Sequence, residues 1–272
     1  MRAINMRLSR TARIALALLP FVALLVAYTI GSNLRLAENP NDKLLPSFET
    51  MGEAIKAYAF EPDPRTGQYL LWSDTAASLK RLLSGLGIAA LIALVFGVLI
   101  GLLPVMGATL GPFVAVMSMV PPLALLPILF IVMGLGEASK IALIVIGTSL
   151  KLIRDVALRV GDIPREQLIK AQTLGASTAQ IASRVVFPQT MPRLLDALRL
   201  EIGPAWLFLI AAEAIAADSG LGYRIFLVRR YLSMDVIIPY VVWITLLAFL
   251  MDLTLRLLQR KAYPWFAEAR KA

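Results

Sequence analysis

Ala171-Gln172-Thr173-Leu174-Gly175-Ala176-Ser177, followed by Val185-Val186-Phe187-Pro188, decides how this chain is read. The stretch reads as two short helical runs, bent at Gly175 and stopped at Pro188. Glycine permits backbone angles that other residues resist, and proline lacks the N–H that would continue a helix. Arg159, Arg165, Lys170, Arg184 and Arg193 make the surrounding residues 157–194 basic. Hydrophobic segments long enough to cross a bilayer lie on both sides. A basic helical hairpin between two spans predicts a docking element facing the cytoplasm. An ordinary amphipathic loop is the plainer alternative.

Composition agrees with a membrane protein. Hydrophobic residues make up 58% of the 272 residues, and mean hydropathy is +0.75, well above a soluble domain. Without Cys, disulfides, thiolate nucleophiles and cysteine metal sites are excluded. Without His, imidazole bases and the commonest metal ligand are excluded as well. No metal or cofactor is expected. The net charge of +9 fits basic cytoplasmic loops better than nucleic-acid binding.

Six spans are expected in an all-α, polytopic membrane fold. The first runs from about Ala12 to Ile30, after Arg2, Arg7, Arg10 and Arg13. A signal peptide is its rival, but the apolar run is long and no A-x-A site follows. Residues 1–31 are thus a cytoplasmic tail and first span, and 32–79 an external polar segment broken by Pro40, Pro46, Pro62 and Pro64. Residues 80–258 form the core. Its second span, Leu82 to Leu103, carries Gly85, Ala89, Ala93, Gly97 and Gly101 as one small-residue stripe. That stripe fits a gating or subunit interface, or tight packing within one subunit.

The third region, about Leu110 to Met133, contains Pro112, Pro121, Pro122 and Pro127 and reads as a kinked or broken span. The fourth runs from about Ser139 to Val156, the fifth from Leu195 to Ala217 and the sixth from Val236 to Leu258. Residues 259–272 form a tail with Arg260, Lys261, Arg270 and Lys271, which places both termini in the cytoplasm. Arg224, Arg229 and Arg230 depart from this pattern. They weaken the topology or mark an external surface that meets an acidic partner.

In this order the segments resemble permeases of type I ABC importers, in the nitrate/sulfonate/taurine branch. The resemblance rests on Ser78-Leu79-Lys80-Arg81, Val120-Pro121-Pro122, Leu126-Pro127-Ile128 and Gly134-Leu135-Gly136-Glu137. Leu174-Gly175-Ala176-Ser177, Val185 with Phe187 and Pro188, Ala205-Trp206, Ala212-Glu213 and Ser219-Gly220-Leu221-Gly222-Tyr223 complete it. The family's loop motif begins with Glu-Ala-Ala. Here Ile169-Lys170-Ala171 stands in its place, and Glu166 lies one turn earlier. The resemblance implies a type I permease fold in the bacterial inner membrane, two ABC ATPase subunits, an external substrate-binding protein and a second permease copy. Glu166, Lys170, Ala171, Gly175, Ala176, Ser177 and Pro188 are then the ATPase-coupling candidates. Residues 37–47 and the region from Glu201 to Arg230 also resemble permeases associated with urea-carboxylase-type enzymes. That implies a small nitrogen compound such as guanidine or urea, with a small anion (a sulfonate, taurine or nitrate) as the alternative cargo.

The chain shows no G-x-x-x-x-G-K-[ST] phosphate loop, so it is not expected to hydrolyse ATP itself. A secondary transporter would need inverted repeats and paired broken helices, and no internal repeat is visible. Pro121, Pro122, Trp206 and Glu213 are the pathway or gating candidates. Glu213 suits a cationic cargo, but permeases that carry anions also have Ala-Glu here, which favours a structural or gating role. Lys151, Glu201 and Asp252 read as residues near helix ends that snorkel to the interface.

Overall fold

The computed structural model describes residues 9–40 and 42–269. Arg2, Arg7, Arg270 and Lys271 of the basic termini lie outside them. Among the described residues every regular element is helical: α1 (Arg10–Glu38), α2 (Phe48–Phe60), α3 (Leu70–Leu102), α4 (Pro104–Met117), α5 (Leu126–Met133) and α6 (Glu137–Gly161) come first. After them come α7 (Arg165–Thr173), α8 (Thr178–Ile181), α9 (Phe187–Ala216), α10 (Leu221–Arg229), α11 (Met234–Ala262) and α12 (Pro264–Ala269).

α1 starts where the Ser9 side chain accepts the Ala12 N–H. Its apolar side chains, from Ile14 to Val26, are largely exposed, as a lipid-facing helix requires. Its far end is tied down by polar contacts. Tyr28 donates to the Pro46 carbonyl at 2.7 Å, Ser32 donates to the Leu45 carbonyl at 2.9 Å, and Arg35 pairs with Asp42. The segment between α1 and α3 is not purely irregular. α2 forms there behind a Ser47 cap, and the Trp72 indole donates to the Ala59 carbonyl at 3.0 Å.

α3, α1 and α11 are each long and apolar enough to cross a membrane. Two bent pairs raise the number to five: α4 with the stretch Pro122–Met133, at 82°, and Thr178–Ala216 with α10, at 54°. α6 carries too many charges to qualify by composition. It takes its place by packing between α3 and α9. The third region is broken as its prolines predict. α4 ends at Met117, and the chain restarts in a 3-10 turn at Pro122. α3 begins three turns ahead of the expected Leu82, because Leu70 to Arg81 pack against neighbours although they are polar enough to lie outside an apolar run.

The small-residue stripe is filled within the subunit. A Cβ at Gly85 would fall 2.7 Å from Ile144, one at Gly97 2.5 Å from Val156, and one at Gly101 2.6 Å from Val160. α3 and α6 therefore touch along their backbones, and the stripe is not available as a surface for a second copy. Gly97→Leu is expected to cost about 3 kcal/mol, the upper end of overpacking penalties. A thermal melt in detergent checks this. An unchanged melting temperature would show that the two helices part freely at this seam.

One expectation fails. Pro188 does not stop the second helical run, because Thr178–Ala216 is continuous. Pro188 sits in the first turn of α9, preceded by a π-helical turn at Ala182–Val186. There the Phe187 N–H reaches the Ala182 carbonyl. The wider turn shifts the carbonyls that a proline ring would otherwise strike, so the helix passes through.

Candidate functional site

Two constructions carry the sequence candidates, at opposite ends of α9. The first is the hairpin α7–α8. Gly175 has φ +80°, the left-handed conformation that glycine adopts without penalty. The Gly175 N–H bonds to the Gln172 carbonyl at 2.9 Å and the Ala176 N–H to the Ala171 carbonyl at 3.0 Å. That pair of bonds is a Schellman ending. Ser177 then opens α8 with a reciprocal capping box to Gln180. Two signals placed back to back, an ending and a start, fix the bend.

Ala171, Ala176 and Ile181 pack beneath the bend with Val160, Ile163 and Val186. Gln189 donates to Gln167 at 3.0 Å and ties α9 to α7. Glu166, Lys170, Gly175 and Ser177 remain exposed. Leu174, at the tip, is 81% exposed and Ile169 56% exposed. The sequence candidates are thus gathered on one hairpin, except Pro188, which lies half-buried behind it.

The second construction surrounds Glu213, which is fully buried. Its carboxylate accepts from Arg81 Nη1 at 2.7 Å, from Ser78 Oγ at 2.8 Å and from the Gly222 N–H at 2.9 Å. The same Arg81, only 3% exposed, binds Glu137 through two parallel bonds of 2.6 and 2.7 Å. It also reaches the Ser219 carbonyl at 2.7 Å. Asp74 accepts the Gly220 N–H at 2.9 Å and Arg224 Nε at 2.8 Å. The Leu221 N–H bonds to Ser78 Oγ at 2.8 Å.

Three consecutive backbone donors at the start of α10 are therefore capped by side chains from α3 and α9. This explains the glycines of Ser219-Gly220-Leu221-Gly222. Gly220 has φ +123°, and a Cβ there would fall 2.4 Å from the Glu213 carboxylate. A Cβ on Gly222 would meet Ile210 backbone at 2.9 Å. Buried charges persist only when paired and hydrogen-bonded. Here Asp74, Glu137 and Glu213 balance Arg81, Lys140 and Arg224.

Arg224 belongs to this network, whereas Arg229 and Arg230 stay exposed. Trp206 is 3% exposed, and its indole N–H has no partner among the described residues. Pro121 and Pro122 sit at the bend of the third span. Two cavities, of about 680 and 400 Å³, are lined by none of the four pathway candidates. Sequence reasoning missed Asp74, Ser78, Arg81 and Glu137 as a unit. One signal was present: no charged residue lies between Arg81 and Glu137, and the two that bracket this stretch pair with each other.

A helical core with membrane-length helices, a break between α4 and α5 and an exposed polar hairpin between α6 and α9 fits a membrane permease. Comparison with known proteins agrees. Residues 89–264 match the family model described as binding-protein-dependent transport system inner membrane component, and the chain belongs to that family. It is 38% identical over 200 residues to the taurine transport system permease protein of Escherichia coli (strain K12), covering 74% of this chain and 73% of that one. It is 30% identical over 199 residues to the nitrate import permease protein of Leptolyngbya laminosa, covering 73% and 71%. A chain of the MetNI methionine ABC transporter, in an inward-facing conformation, shares the fold with a TM-score of 0.63 at 20% identity. That match covers 71% of this chain and 96% of the other. The chain is thus a permease subunit of the nitrate/taurine type and not itself an ATPase. Membership implies an ATPase and a binding protein as partners.

Proposed function

We propose that the chain is the pathway-forming subunit of an inner-membrane importer, and that its hairpin at 165–187 seats in the ATPase. The carrying observation is the bend at Gly175. It presents Leu174 and Ile169, large and apolar, on an otherwise polar basic element. A soluble partner's groove covers such side chains. Both termini then face the cytoplasm, and a second copy of the chain completes the pathway.

α8 continues through the π turn into α9, a run of about 58 Å at 1.5 Å per residue. Its far end holds the Glu213 latch. Movement of the hairpin therefore carries α10 and the outer end of α3 with it, which couples the ATPase side to the outer mouth.

The cargo that fits best is a small anion or zwitterion of the sulfonate or nitrate kind. The relatives support this, being named for taurine and nitrate. Guanidine or urea has weaker support. The Glu213 carboxylate, the group suited to a cation, is saturated by Arg81, Ser78 and Gly222. The test is uptake into vesicles holding the permease, its ATPase and its binding protein. Saturable uptake of taurine or nitrate is expected. Uptake of guanidine with neither anion would overturn the cargo. Leu174→Asp should reduce ATPase co-purification about tenfold, a loss of 1.4 kcal/mol in docking. Undiminished co-purification would remove the hairpin from the interface.

A further inference from the structure

The depth of α6 in the membrane follows from its packing. Gly85 meets Ile144, Gly97 meets Val156 and Gly101 meets Val160, so α3 and α6 run parallel in constant register. Lys151 is therefore level with Ile92. α3 has no charged residue from Leu82 to Leu102, and Ile92 stands at the middle of that run. At 1.5 Å per residue the run spans about 31 Å, the thickness of a hydrocarbon core. Lys151 thus lies near the midplane, too deep to be a residue at the helix end. Arg154 follows one turn nearer the hairpin.

Both side chains are exposed, and at i and i+3 they share a face. Lys151 has no hydrogen bond or ion pair among the described residues. Arg154 donates from Nη1 to Ser118 Oγ at 2.9 Å and lines the 400 Å³ cavity with Gly101, Gly111 and Ala157. Ionisable groups at this depth almost always face a bundle interior or a water-filled cavity. Ser118 is also where α4 ends and non-helical backbone begins. Met119, next to it, is 74% exposed. Backbone without helical bonds is tolerated at membrane depth only inside protein or beside water. Two separate features, cations outside any carboxylate salt bridge among the described residues and a broken helix, therefore meet at Ser118. Glu201 on α9 is the acid that feels the Lys151 charge, and its Oε2 is enclosed without a partner. Asp162 also lines that cavity, but it is already paired with Arg159 and Arg193. With Glu201 ionised, Lys151, Arg154 and Glu201 then sum to one positive charge.

We propose that the translocation path runs along this face, and that Lys151 and Arg154 select a small solute with an oxyanionic group. A guanidinium matches the planar geometry of such a group, and an ammonium adds a mobile point charge. The proposal rests on the permease reading and assigns its charge selectivity to two side chains.

This chain has no Cys, so Met119→Cys gives each permease copy one reporter thiol, read as label on the permease band alone. The assembled importer in proteoliposomes is treated with an anionic or a cationic methanethiosulfonate of similar size. Met119→Cys should react with both, and with the anionic reagent roughly tenfold faster, as a positively lined cleft concentrates anions. Adding Lys151→Gln and Arg154→Gln should abolish that preference. If the double variant does not assemble, Lys151→Gln alone should lower the preference about threefold by the same field argument. An unreactive thiol, or a preference untouched by removing Lys151, would overturn the proposal. The readout uses no cargo, so failure of sulfonate or nitrate uptake bears on the earlier reading alone.

Discussion

Arg81→Leu is expected to destabilise the chain by about 3–5 kcal/mol, the cost of leaving a buried charge without its partner. Glu213 is fully enclosed and no solvent can replace the guanidinium. Glu137 is different. Its side chain is 58% exposed, so water takes over when Arg81 leaves. The penalty is therefore concentrated at Glu213. Adding Glu213→Gln to Arg81→Leu should recover about half of the loss, because the amide oxygen still accepts the Gly222 N–H and no unpaired charge remains. A thermal or denaturant melt in detergent, run as a double-mutant cycle, measures the coupling. Strictly additive losses would show that Arg81 and Glu213 do not hold each other. Taurine or nitrate uptake by a folded double variant would show further that the pair is a structural latch rather than a cargo site.

The latch shows where sequence reading reaches its limit. Spans, the broken third region and the hairpin are local. Each depends on hydrophobic runs, prolines or a glycine within a few turns, and each is visible in the residues themselves. The network is not local: Arg81 and Glu213, or Asp74 and Arg224, lie far apart in the chain and meet only after α3, α9 and α10 have packed. The stripe at Gly85 to Gly101 is an intermediate case. Its spacing shows that a helix comes close, but not which one, and α6 of the same subunit fills it. Pro188 misleads for a different reason. Proline usually ends a helix, but a π turn of five residues ahead of it removes the clash. Lys151 reads from the sequence as a residue near a helix end, and the midplane depth we propose for it needs the α3–α6 register, which only packing supplies.

Gly175→Val is expected to leave the membrane core folded while uncoupling the hairpin. Nothing lies within 4 Å of a Cβ added there, so no steric clash arises. The penalty is conformational alone, because φ is +80° and a β-branched residue resists that angle by about 1–3 kcal/mol. The Schellman ending then opens, and Leu174 and Ile169 no longer project together. If about 1.4 kcal/mol of that cost falls on docking, the ATPase binds tenfold more weakly. Melting of the isolated permease should shift little, since the strained bend at Gly175 and Leu174 is exposed and can open locally while Ile181 beneath it stays packed. Gly175→Asn is the control. Asparagine visits the left-handed region more readily than other non-glycine residues, so it should keep most of the coupling. Co-purification with the ATPase and solute moved per ATP hydrolysed are the readouts. Equal coupling in Gly175→Val and the natural chain would show that the bend is dispensable. Equal loss in Gly175→Asn and Gly175→Val would show that something other than the left-handed backbone is being read.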